Sequence, residues 1–119
     1  MDLELRYEGD VTILELRGVF ETFDLPGLSK RVERLLEGGT RHLCIHVRDL
    51  TFANSTALSY LIELARRLDE LEGQLVFSEP SRFFATTIHT LGLQKLFRLF
   101  PTDAEAVAYL DEPSDPEPE

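Results

Sequence analysis

Asp49-Leu50-Thr51-Phe52-Ala53-Asn54-Ser55-Thr56-Ala57-Leu58 decides the fold, because this stretch joins the end of an apolar strand to the most periodic helix in the chain. From Asn54 to about Leu71, the residues Leu58, Leu61, Ile62, Ala65 and Leu68 recur at helical spacing, with Arg66, Arg67, Asp69 and Glu70 on the opposite face. Just upstream, His42 to Val47 alternates Leu43, Ile45 and Val47 with His42, Cys44 and His46, the period of a strand. A strand running directly into a long amphipathic helix is half of a parallel crossover unit. Its half-polar second face predicts helices mainly on one side of the sheet, since a strand buried on both faces reads as nearly continuous aliphatics.

Working outward, Leu3, Leu5 and Tyr7 alternate with charged residues, Glu8-Gly9-Asp10 makes a turn, and Val11 to Leu16 returns as the second strand of a hairpin ended by Gly18. After a loop from Phe20 to Phe23, Asp24-Leu25-Pro26 opens a helix with Asp24 as its cap, a stripe of Leu28, Val32, Leu35 and Leu36, and a stop at Gly38-Gly39. Beyond Gly73 come a strand from Gln74 to Phe77, a turn at Glu79-Pro80, a helix from about Ser81 to Leu91 and a short strand from Phe97 to Phe100. Thr102 and Glu105 form a capping box for the last helix. The predicted class is α/β, order ββαβαβαβα, with a mostly parallel sheet.

The chain has 119 residues, 43% of them hydrophobic, which is material for one domain and not two. Its net charge of −10 repels phosphate backbones, so nucleic acid is excluded as a direct partner. Asp111, Glu112, Asp115, Glu117 and Glu119 crowd into a proline-rich end with no apolar side chain. The expected division is a domain over residues 1–111 and a disordered acidic tail over 112–119, either an interaction segment or a solubilising one. No apolar run approaches the roughly 20 residues of a membrane helix, and the first residues lack a secretory pattern, so no membrane insertion and a cytoplasmic location are expected.

Most catalytic signatures are missing from the sequence. There is no glycine-rich phosphate loop and no G-x-S-x-G elbow around Ser55 or Ser81. His42 and His46, four apart on a strand, stand roughly 13 Å from each other and make no metal pair, and His89 is isolated, so no cofactor or metal is expected. Cys44 reads as a small buried side chain. What remains is the polar cluster Asn54-Ser55-Thr56 at a helix N-terminus, where the carboxyl ends of parallel strands collect functional groups. Asn54 or Ser55 caps that helix, and capping is compatible with a further role.

The block from Leu50 to Leu61 resembles the signature of STAS domains, a family that includes bacterial anti-sigma factor antagonists: a strand, an Asp-Ser-Ser/Thr-Gly-Leu turn, then a helix. The resemblance extends to Val11–Gly18, Gln74–Phe77, Leu91-Gly92-Leu93 and Asp103–Ala106 in order and at matching spacing. It implies the STAS fold, no enzymatic activity, and binding to a serine-kinase type of anti-sigma factor, with transcription regulated through release of a sigma factor. Ser55 falls where such antagonists are phosphorylated, with Thr56 as second candidate. Asn54, Ser55, Thr56 and Ala57 fall on the partner-binding turn. Asn54 stands where the family usually has Asp, which removes a charge beside the hydroxyl, and Ala57 stands where it usually has Gly, which adds a methyl that could hinder a partner's approach. The alternative within the family is an accessory subunit that binds the ATPase of a lipid-transport ABC system without phosphorylation. An enzymatic reading with Ser55 as nucleophile needs an adjacent base that no spacing supplies. Phe20 and Phe23 are a second candidate contact, unless both tuck under the first helix.

Overall fold

The computed structural model describes residues 1–111. Strands β1 (Asp2–Glu8) and β2 (Val11–Phe20) form the antiparallel hairpin, followed by a short 3-10 turn at Thr22–Asp24 and helix α1 (Leu25–Glu37). Then come β3 (His42–His46), β4 (Leu50–Ala53), α2 (Ser55–Glu70), β5 (Gln74–Ser78), α3 (Arg82–Thr90), β6 (Arg98–Phe100) and α4 (Asp103–Asp111). The sheet runs β1-β2-β3-β5-β6, with β4 attached to β2, and every pairing except β1 with β2 is parallel. The expected tail over 112–119 lies outside the described residues.

One strand is added to the expected order. β4 covers Leu50-Thr51-Phe52-Ala53 with the two middle residues exposed and the outer two buried, so it shows no alternation for sequence reasoning to find. It exists because β2 bends. Gly18 sits at φ +94°, a conformation that side-chain-bearing residues rarely adopt, and a register shift between Gly18 and Val19 turns the strand away from β3 and onto β4.

Three of the helices cover one face, as the half-polar β3 implied. Leu28, Val32 and Leu36 of α1, Leu58, Leu61 and Leu68 of α2, and Phe84 and Ile88 of α3 close over Leu14, Leu43, Ile45, Leu75 and Phe77 of the strands. Phe77, Phe84 and Phe97 meet there with ring centroids 4.7–6.3 Å apart, a large apolar payload in a small domain. The second face is not bare. α4 lays Ala106 and Leu110 over Val11, Ile13, Cys44 and Val76, so Cys44 is fully buried, and burial pushes its thiol up to about 11. Asp24 does not cap α1: its side chain accepts from the Glu21 amide at 2.8 Å and pairs with the Met1 ammonium at 3.3 Å, which locks the 3-10 turn instead.

Candidate functional site: the junction of β4 and α2

The bend at Gly18 brings the end of β2 beside the start of α2. Thr51 Oγ1 donates to the Gly18 carbonyl at 3.1 Å, and the Asn54 amide donates to the Phe20 carbonyl at 3.1 Å. Asn54 is extended (φ −78°, ψ 174°), and its Oδ1 accepts from the Ala57 amide at 2.9 Å, satisfying one of the donors a helix start leaves free. Its Nδ2 donates to Thr22 Oγ1 at 3.2 Å. Asn54 is therefore the cap, and it also clamps the helix start to the Thr22–Asp24 turn. Thr22 carries no motif of its own and was not legible as part of this site.

On this frame Ser55 and Thr56 are exposed, at the first two positions of α2. Two expected contact residues are not on the surface. Phe20 is 0% exposed, because its position pairs with buried Ala53 and points into the core, and Ala57 is also 0% exposed. The extra methyl of Ala57 thus fills the interior under α2 and obstructs no approach from outside. Phe23 is 73% exposed on the 3-10 turn, so the two phenylalanines of the loop have opposite fates. Phe52, 47% exposed and 5.5 Å between centroids from Phe83 of α3, adds an aromatic surface that sequence reasoning missed. Among the described residues, no histidine or carboxylate hydrogen-bonds Ser55, so nothing there activates its hydroxyl as a nucleophile.

The densest polar cluster lies elsewhere, under α4. Ser78 Oγ donates to Asp103 Oδ1 at 2.6 Å, Arg6 Nη2 donates to Oδ2 at 3.1 Å, and His46 Nδ1 lies 2.8 Å from Oδ1. An ionised carboxylate only accepts, so the His46 Nδ1 carries the proton. Burial alone would raise the Asp103 carboxyl; the contacts from Ser78, His46 and Arg6 outweigh it and hold the group below the ordinary carboxylate value. His46, Glu79 and Asp103 bring possible ligand atoms within 4.8 Å of one another, but Asp103 is already committed to three donors, one of them cationic. The cluster ties β1, β3 and β5 to the first turn of α4, and it reads as structural.

The sequence profile of the STAS domain matches residues 2–106, and the chain belongs to that family. Solved structures of the same shape include a candidate anti-sigma factor antagonist from Thermotoga maritima, 15% identical with a TM-score of 0.85, over 92% of this chain and 95% of that one. An anti-sigma factor antagonist from Mycobacterium paratuberculosis is 20% identical with a TM-score of 0.78, over 93% and 94%. The Bacillus cell fate determinant SpoIIAA, in its phosphorylated form, is 16% identical with a TM-score of 0.69, over 91% and 98%. At these identities the likeness establishes the fold. Among the described residues no helix is long and apolar enough to cross a membrane.

Proposed function

We propose that this chain is an anti-sigma factor antagonist, a binding module and not a catalyst, which sequesters a serine-kinase type of anti-sigma factor and is switched off by phosphorylation of Ser55. The observation that carries the reading is an exposed serine on the first turn of α2, beside the Asn54 cap that bonds Thr22, the neighbour of exposed Phe23, with exposed Phe52 three residues before Ser55 in the chain. Aromatic side chains at such exposed positions are the residues that anchor interfaces. A phosphate there would sit at a helix N-terminus, where free amides and the helix dipole favour an anion, so modification leaves the domain folded. It would also add about 1.5–2 negative charges to a surface that docks a partner in its neutral form, and that repulsion and desolvation release the partner.

Asn54 keeps the capping geometry that an aspartate would provide, and buried Ala57 leaves the surface open, so neither departure from the family pattern removes the switch. The test is binding of a serine-kinase anti-sigma factor from the same organism to the wild type, Ser55→Ala and Ser55→Asp, with Mg-ATP present and absent. Without Mg-ATP, wild type and Ser55→Ala should bind alike and Ser55→Asp at least about tenfold more weakly, in line with like-charge repulsion at an interface; with Mg-ATP, phosphate should transfer to the wild type alone and release it. Undiminished binding by Ser55→Asp together with no transfer overturns the switch. Capture by an ABC ATPase instead would make the domain a docking subunit.

A further inference from the structure

At the far end of α2, about 16 Å along the helix from Ser55 at the usual rise, a groove of about 330 Å³ opens between α2, the starts of β5 and β6, and α4. In a chain of net charge −10, this groove gathers three cations, Arg66, Lys95 and Arg98, against the single carboxylate of Asp69. Among the described residues Lys95 and Arg98 make no ion pair, and Arg66 has only an exposed contact with Glu63 at 3.6 Å. The fourth wall is Tyr109 of α4. Arg98 lies 5.0 Å over its ring and Gln74 Nε2 donates to its hydroxyl at 3.3 Å, so the guanidinium is held at the groove rather than trailing into solvent.

Tyr109 is two residues from the end of α4, and the acidic segment 112–119 follows immediately. We propose that this segment is the occupant of the groove, docked through Glu112, Asp115, Glu117 and Glu119 onto Arg66, Lys95 and Arg98. Charge complementarity is the first argument. Reach is the second: eight residues span up to about 26 Å when extended, and the segment leaves from the groove's own wall, so its effective concentration there is high. Pro113, Pro116 and Pro118 carry no backbone amide to donate, so the proposed docking rests on the carboxylates. Such exposed pairs are individually weak and salt-sensitive, which makes the docking reversible and open to displacement by an acidic surface of a partner.

The chain has only two lysines, Lys95 in the groove and exposed Lys30 on α1, which give a built-in comparison for zero-length carbodiimide cross-linking of the full-length protein. Cross-links from residues 112–119 should go to Lys95 at least about fivefold more often than to Lys30, and should fall at least about threefold in 1 M NaCl, where the screening length shrinks to ~3 Å. The same fall is expected in full-length Arg66→Gln/Arg98→Gln, which keeps Lys95 and the proximity of the segment but removes the two guanidinium charges. Amide chemical shifts of Lys95 and Arg98 should also move when Glu112, Asp115, Glu117 and Glu119 are changed to Gln or Asn. Equal yields at the two lysines, a Lys95 yield indifferent to the arginine changes, or unmoved Lys95 and Arg98 amides would overturn the proposal.

Discussion

Replacing Asn54 by alanine removes two contacts that can be priced separately. Oδ1 caps α2 through the Ala57 amide at 2.9 Å, and loss of an N-cap side chain costs typically about 1 kcal/mol. Nδ2 joins the helix start to Thr22 Oγ1 at 3.2 Å on an exposed surface, where one neutral hydrogen bond adds about 0.5 kcal/mol. The sum, about 1.5 kcal/mol, corresponds to a fall of about 6 °C in Tm for a domain of this size. Asn54→Asp should behave quite differently. Its carboxylate still accepts from Ala57, the Thr22 hydroxyl can turn to donate, and a negative charge at a helix N-terminus is favourable by about 0.3–1 kcal/mol. This variant should therefore match or slightly exceed the wild type. Thermal and urea unfolding followed by circular dichroism measure both, and a cycle with Thr22→Val isolates the second contact as a coupling of about 0.5 kcal/mol. An alanine variant within about 0.3 kcal/mol of wild type, or an aspartate variant as unstable as the alanine one, would refute the assignment of Asn54 as cap and clamp.

Other changes separate core from surface. Phe20→Ala should cost about 3–5 kcal/mol because its ring is fully buried, whereas Phe23→Ala, at a residue 73% exposed, should leave the unfolding midpoint unchanged and weaken partner binding; the reverse ranking in urea titrations would put the wrong phenylalanine inside. Gly73→Ala places a methyl 2.2 Å from the Arg41 carbonyl oxygen, backbone against backbone, and should destabilise by about 1–3 kcal/mol or more; a neutral result would mean that the residues entering β3 and β5 approach less closely. Asp103 titrates below its ordinary value in the folded state, so its contribution is complete above the unfolded value of about 3.9 and is lost as pH falls through the folded one. Asp103→Asn should thus cost about 2 kcal/mol at pH 7 and progressively less below about pH 4, and an undiminished gap at pH 3 in denaturant titrations would contradict the network.

The elements that sequence reasoning placed well are those whose burial is periodic. α2 shows its apolar stripe in the letters alone, and the β1–β2 hairpin is announced by alternation around Gly9. β4 was hidden because four residues with an irregular in-out pattern carry no period, and its pairing depends on a bend at Gly18 that only the partner strand reveals. The role of Asp24 is not legible for a related reason: a short acidic side chain before a helix can serve the turn behind it as well as the helix ahead, and here it serves the turn. At the site itself, the Asn54-Ser55-Thr56 cluster was legible because it stands at a strand-to-helix junction. The burial of Ala57 and Phe20, and the exposure of Phe52 beside Phe83, follow from three-dimensional packing that a local reading does not contain. His46 illustrates the same limit, since its partner Asp103 lies 57 residues further along the chain.

The central proposal is most directly tested by intact-mass analysis of the protein isolated from its own cells, with fragment mapping across Asn54 to Leu58 and identification of whatever co-purifies. One phosphate on Ser55 in part of the population, with a serine-kinase partner bound to the unmodified part alone, is the predicted result. A wholly unmodified chain held by an ABC-type ATPase would contradict it.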